Sequence, residues 1–278
     1  MIVDAHLHVW RSTPDHPNPG ATIVSPTSDV PVELLRQYMD EHGVDRAVVV
    51  QPLYPGEDNS YVADCAAAEP DRLAAVCYVD PRREGADRRL RYWVEERGCR
   101  GLRIRPNVPG EDVTFGRPAS YPVWAAAQDL GIAVNLLMRM GHVPSLAGLA
   151  ERFPQVPLLI DHMAYPDVTA GTGDPAFQAL LALSRYPQVS VKVSGYYYHS
   201  RQAWPNLDCH PFFRAFHDAF GADRLIWGSD FPHVLLKCSY ASALGLQERF
   251  YTELEPGEMA AVMGGNAAAA YWPDSDPG

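Results

Sequence analysis

Four polar side chains invite a chemical reading because each ends a run of apolar residues. His6 and His8 lie in IVDAHLHVW (2–10), one residue apart in a stretch otherwise suited to a strand, so both rings are expected on one face. His162 comes at the end of VPLLIDHM (156–163), and Asp230 at the end of RLIWGSD (224–230). Neutral imidazoles with one carboxylate suit a single divalent ion of the zinc type, which lowers the pKa of bound water. The same groups can also act without metal, with Asp230 taking a proton from water while the histidines polarise a carbonyl. A solitary strand histidine is more often structural, and Asp230 could simply cap a helix, so the weight rests on their joint occurrence.

Other polar residues fall at equivalent places. Arg103 and Arg105 share parity in CRGLRIRP (99–106), and Arg139 follows IAVNLLM (132–138). Guanidinium groups match carboxylates bidentately, so these arginines are candidates for holding an acidic substrate, with ion pairing around the fold as the bland alternative. Lys192 and Ser194 sit in VSVKVSG (189–195), ahead of the run Tyr196, Tyr197, Tyr198 and His199. Tyr196 and His233 complete the candidate substrate contacts, with packing and loop roles as their alternatives.

Something must bring these positions together. Eight runs rich in Val, Ile and Leu recur: the six quoted above, plus RAVVVQP (46–52) and LAAVCYVDP (73–81). They are almost continuously apolar, as strands buried on both faces should be. Segments with helical spacing lie between them, at 28–43, 87–98, 121–131, 144–154, 174–187 and 210–221. A weaker helix is expected at 59–69, and helical tails at 239–250 and 256–270. Ser28 and Asp29 are cap candidates for the first helix, and Gly43 is its stop. The alternation predicts an α/β protein: a single (β/α)8 TIM barrel forming one domain over residues 1–278, with chemistry at the C-terminal ends of the strands. An open doubly wound sheet would be expected to carry a glycine-rich phosphate loop after its first strand, and none is present. The Pro-containing stretch 11–30 is expected to be an active-site loop.

Composition narrows the function classes. The 278 residues are 47% hydrophobic and 21% charged, with net charge −11, which supports a substantial core and argues against nucleic acid or anionic membrane as partner. Cys65, Cys77, Cys99, Cys209 and Cys238 form no close pairs, so neither a disulfide framework nor a CxxC zinc knuckle is expected. No run approaches the ~20 apolar residues of a membrane span, and a cytoplasmic location is the expectation. The sequence leaves a homo-oligomer open.

The chain resembles the amidohydrolase superfamily, in its amidohydrolase-2 branch. The likeness rests on DAHLHVW, GVDRAVVVQP, GLRIRP, DHMAYP, WGSDFPH and the late MGGNAAAAYW (263–272), and spans essentially the whole chain. It implies that His6 and His8 bind metal, that Asp230 is a metal ligand and general base, and that His162 contacts substrate or shuttles protons. Branch members include lactonases, among them those of 2-pyrone-4,6-dicarboxylate and of sugar acids, and decarboxylases of aromatic or unsaturated acids. The decarboxylases carry a strand-five histidine, whereas this chain has Met138 there and no histidine before His142. The lysine or glutamate that bridges two metals elsewhere in the superfamily is also missing from strands four and five, so a binuclear site is not expected. A lactone-opening hydrolase is therefore the leading expectation, a metal-dependent decarboxylase the alternative, and a barrel that only binds ligands a third.

Overall fold

A computed structural model describes residues 1–12, 29–53, 56–106, 115–245 and 251–273. Eight parallel strands form one sheet in the order of the chain: β1 (Val3–Leu7), β2 (Arg46–Val50), β3 (Leu73–Tyr78), β4 (Gly101–Ile104), β5 (Ala133–Leu136), β6 (Leu158–Ile160), β7 (Val189–Val193) and β8 (Leu225–Trp227). The sheet curls into a (β/α)8 barrel. Its seam is drawn shut just beyond β8, where the His8 amide donates to the Phe231 carbonyl (2.7 Å) and the Asp230 amide to that of His6 (2.8 Å).

Alternation along the strands divides the core into two parts. Outward residues such as Ala47, Val49, Leu102, Leu136, Ile160, Val191 and Trp227 pack beneath the helices. Inward residues, among them Val48, Val50, Ala74, Val76, Leu159 and Ile226, fill the lumen. That is why the strands are apolar at nearly every position: both faces are covered.

The helices are α1 (Val32–His42), α2 (Ser60–Ala68), α3 (Ala86–Arg91), α4 (Tyr121–Leu130), α5 (Val143–Arg152), α6 (Pro175–Leu181), α7 (His210–Phe220), α8 (Tyr240–Leu244), α9 (Pro256–Ala260) and α10 (Asn266–Tyr271). Gly43 stops α1 as expected, in the left-handed conformation (φ 65°). Asp29 does not cap that helix; it accepts from the Ser12 amide at 2.7 Å, and α1 starts after Pro31. Ser28 lies outside the described residues, as do 13–28 of the expected active-site loop and 246–250 of one helical tail. α10 lies across the N-terminal end of the barrel, where Ala267, Ala268, Tyr271 and Trp272 join the lumen cluster with Val3 and Ala5. No helix among the described residues is long and apolar enough to cross a membrane.

Candidate active site

Two departures from regular strand geometry aim the site's side chains. The first is in β1: Asp4 pairs with Ala47 but Leu7 with Val49, so β1 takes three steps where β2 takes two. Before this bulge, Val3 and Ala5 face the lumen, and Asp4 points outward to accept from the Ser229 amide (2.8 Å), Ser229 Oγ (2.5 Å) and Tyr240 Oη (2.8 Å). Beyond it the parity is inverted, so His6 and His8 face inward while Leu7 packs outward. An unbulged strand would have set both rings on the outer face beside Asp4.

The second departure follows β6. His162, Met163, Ala164 and Tyr165 all have positive φ (50°, 54°, 57° and 58°), a left-handed turn built without glycine. Each such residue costs about 1–2 kcal/mol relative to ordinary backbone. Consecutive strand residues would diverge; here Asp161 and His162 both reach the lumen. Asp230 is also left-handed (φ 60°) at the end of the segment after β8.

Three ring nitrogens converge on one oxygen. Asp230 Oδ1 lies 3.4 Å from His8 Nε2, 3.8 Å from His6 Nε2 and 3.9 Å from His162 Nε2. All four residues are buried. The other Asp230 oxygen, Oδ2, accepts from the hydroxyls of both Tyr197 and Tyr198, the latter at 2.8 Å. Burial alone would raise the Asp230 carboxyl, but His162, His8, His233 and His6 hold it well below the carboxylate range. Burial in turn drives His6 and His162 below the usual imidazole range.

The remaining candidates divide. The His233 ring stands 5.3 Å from that of His8, with burial pushing its pKa down to about 4. Arg103 is buried in the field of Asp161 and Asp230 and donates from Nη1 to the Gln51 carbonyl at 2.7 Å. The Arg105 guanidinium lies 3.4 Å over the Tyr78 ring, and that of Arg139 4.8 Å over Tyr165. Tyr196 is not brought to the cluster: it is buried in the outer core, its hydroxyl 2.9 Å from that of Tyr251. Gly195 (φ 63°) turns the chain so that the next two tyrosines, not the first, meet Asp230. Asp161 escaped the sequence reading altogether. Its signal was a charged residue between Ile160 and His162, closing an apolar run, together with Lys192 in a strand buried on both faces, which needs an anion nearby.

The donor set fits a divalent ion. His8 Nδ1 is 2.8 Å from the Val50 carbonyl, which can only accept, so Nδ1 carries a proton and in the neutral ring Nε2 is a lone pair. His6 Nε2 and Asp230 Oδ1 are buried without a hydrogen-bond partner. Lone pairs gathered around a carboxylate oxygen repel unless a cation or a proton lies among them. Among the described residues, His6–His162–Asp230 and His8–Asp230–His233 each bring ligand atoms within 4.8 Å of one another, with Asp230 common to both.

Comparison with known proteins agrees with this architecture. The family profile Amidohydro_2, described as amidohydrolase, matches residues 3–272. An L-fucono-1,5-lactonase of Burkholderia ambifaria is 31% identical, over 99% of this chain and 97% of its own. A 4-sulfomuconolactone hydrolase of Hydrogenophaga intermedia is 31% identical, over 83% of this chain and 74% of its own. The crystal structure of an amidohydrolase from Burkholderia multivorans with bound zinc shares the fold, with TM-score 0.83 and 24% identity over 98% of this chain and 99% of that one. With the profile matched from β1 through α10, the chain belongs to the amidohydrolase family.

Proposed function

We propose that the protein is a hydrolase that opens a lactone of an organic or sugar acid, using one zinc-like divalent ion. The observation that carries this reading is the convergence of three buried imidazole Nε2 atoms on Asp230 Oδ1. His6, His8 and Asp230 would hold the ion, with His162 within the same reach. When bound, such an ion polarises the lactone carbonyl and makes water a better nucleophile at neutral pH. The names of the two relatives, both lactone-acting, support the substrate class.

The chain's own groups do the rest. Tyr197 and Tyr198 occupy Asp230 Oδ2, so the proton of the attacking water passes to Oδ1, the oxygen that faces the centre. His162 differs from His8 in that its Nδ1 partner, Ser194 Oγ at 3.0 Å, can donate as well as accept. With Ser194 donating, His162 carries its proton on Nε2 and can donate to the developing oxyanion, a contact worth about 3 kcal/mol in comparable sites. Arg103 and Arg105 would hold the substrate's carboxylate or hydroxyls, with the Arg139 guanidinium 4.8 Å over the Tyr165 ring.

The test is a panel of sugar-acid and organic-acid lactones followed by acid release, run beside the same enzyme after chelation, with metal analysis. Ring opening that is lost on chelation and restored by zinc, with about one ion per chain, is expected. Carbon dioxide release from aromatic or unsaturated acids, without turnover of any lactone, would establish the decarboxylase instead.

A further inference from the structure

Below the histidines a column of buried polar groups runs along the barrel axis, and the reaction outlined above does not use it. Asp161 Oδ1 lies 3.2 Å from His6 Nδ1 and 3.3 Å from Lys192 Nζ. Lys192 also donates to Asn135 Oδ1, and the same oxygen accepts from Tyr271 Oη at 2.6 Å. Lys192, Asp161 and Asn135 are completely buried, as is Tyr271, the residue that α10 inserts through the barrel floor. A lysine in a closed barrel is costly unless its charge is matched, and here one carboxylate matches it.

His6 Nδ1 is contested. Lys192 Nζ lies 3.3 Å from it in hydrogen-bonding geometry, whereas Asp161 Oδ1, 3.2 Å away, meets the ring as an ion-pair contact and has no hydrogen-bond partner in this conformation. If Lys192 donates to Nδ1, the ring proton moves to Nε2 and the lone pair turns away from the centre. If Asp161 accepts from Nδ1, the lone pair is on Nε2, facing Asp230 Oδ1. A carboxylate is the stronger acceptor for both donors, since charge-assisted hydrogen bonds are roughly twice as strong as neutral ones. Asn135 Oδ1 gives the lysine a second acceptor that draws it toward the floor.

We propose that Asp161 and Lys192, anchored from below by Asn135 and Tyr271, are positioning residues that lock the His6 ring with its proton on Nδ1 and its lone pair on the catalytic centre. The C-terminal helix α10 thereby reaches the site through Tyr271 without touching substrate. The inference deepens the reading of the centre as a metal-assisted lactone hydrolase, yet its first test is independent of activity.

That test is long-range proton–nitrogen NMR of the histidine side chains in the metal-free wild-type protein. His6 is expected in the Nδ1–H form; finding it as Nε2–H would overturn the proposal whatever the enzyme does. Zinc affinity, measured by competition with a chromophoric chelator, supplies the second readout. Asp161→Asn is expected to weaken zinc binding by about 10–100-fold and Tyr271→Phe by a few-fold, with kcat falling and KM little changed. Circular dichroism is the check on folding. Should Asp161→Asn fail to fold, the wild-type tautomer and Tyr271→Phe still decide the matter. A folded Asp161→Asn protein with wild-type zinc affinity and an unchanged His6 signal would refute it. Absence of lactone turnover in a wild-type protein with Nδ1-protonated His6 would sink the proposed function alone.

Discussion

At the N-terminal end of the barrel, α10 and the Trp272 that follows it set Ala267, Ala268 and the indole against Val3 and Ala5, and the one buried hydroxyl α10 brings, that of Tyr271, is hydrogen-bonded. The C-terminal end is built differently. Its buried polar atoms include His6 Nε2, Asp230 Oδ1 and His233 Nδ1 without hydrogen-bond partners, and its backbone holds five left-handed non-glycine residues at 162–165 and 230. Left-handed strain is thus gathered at the mouth beside the unpartnered His6 and Asp230 atoms, while the floor is chiefly apolar packing, with Asn135 Nδ2 as its unpartnered polar atom. Sites that must bind something carry such costs, and the rest of the fold offsets them. Substitutions at the mouth should therefore change turnover more than stability, and substitutions in the apolar packing of the floor should do the reverse.

The largest effect is expected from Asp230→Asn. It removes the proposed proton acceptor while keeping shape, and asparagine tolerates left-handed backbone well. Lactone turnover should fall by about a thousandfold or more, against the range of 10²–10⁴ for lost general-base catalysis. The melting temperature should stay level or rise. Turnover near wild type would show that Asp230 is not the base.

Gly195→Ala comes next, because it tests how tightly the mouth is set. A Cβ there would lie 2.7 Å from His162 Nδ1 and 2.9 Å from the Tyr198 ring, at a backbone φ of 63°. Displacing His162 by a fraction of an ångström should cost about tenfold to a hundredfold in kcat, with roughly 1–3 kcal/mol of stability lost to backbone strain. A variant with normal kcat would mean that the ring's position is not critical.

Gly264→Ala is the counterpart at the floor. Its Cβ would collide with the Met1 carbonyl oxygen, backbone that cannot swing aside. Overpacking of this kind costs about 1–3 kcal/mol. Thermal unfolding should drop by several degrees while kcat, measured well below the transition, remains that of the wild type. A kcat loss matching that of Gly195→Ala would erase the distinction between the two ends.

The same contrast explains what could be seen in the sequence. Floor and walls were legible because a strand buried on both faces must be apolar throughout, and eight such runs leave few architectures. The shared face of His6 and His8 followed from their spacing, but the face they share depends on a bulge that spacing does not encode. His162 and Asp230 stood out as polar ends of apolar runs. Tyr196 was the natural choice at the head of its run, yet the turn at Gly195 hands the contact to Tyr197 and Tyr198. Asp161 was hidden because its partners His6 and Lys192 are far from it in sequence and meet it only across the closed lumen.

The smallest predicted effect concerns the turn that presents His162. Ala164 is buried at φ 57°, and a glycine there would relieve left-handed strain of about 1 kcal/mol while losing a methyl group worth about 0.8 kcal/mol. Ala164→Gly should therefore leave stability within about 0.5 kcal/mol of wild type. Ala127, equally buried but inside α4, provides the reference. There the same substitution loses the methyl group and adds a helix-propensity cost of about 1 kcal/mol, so a loss near 2 kcal/mol is expected. Chemical denaturation of the two variants measures the difference directly. If both lost the same stability, the left-handed turn would carry no strain, and the mouth would owe its character to unmatched polar atoms alone. If only Ala127→Gly is destabilised and Ala164→Gly loses a few-fold in kcat, then the strain at 162–165 is what holds the His162 ring on the centre.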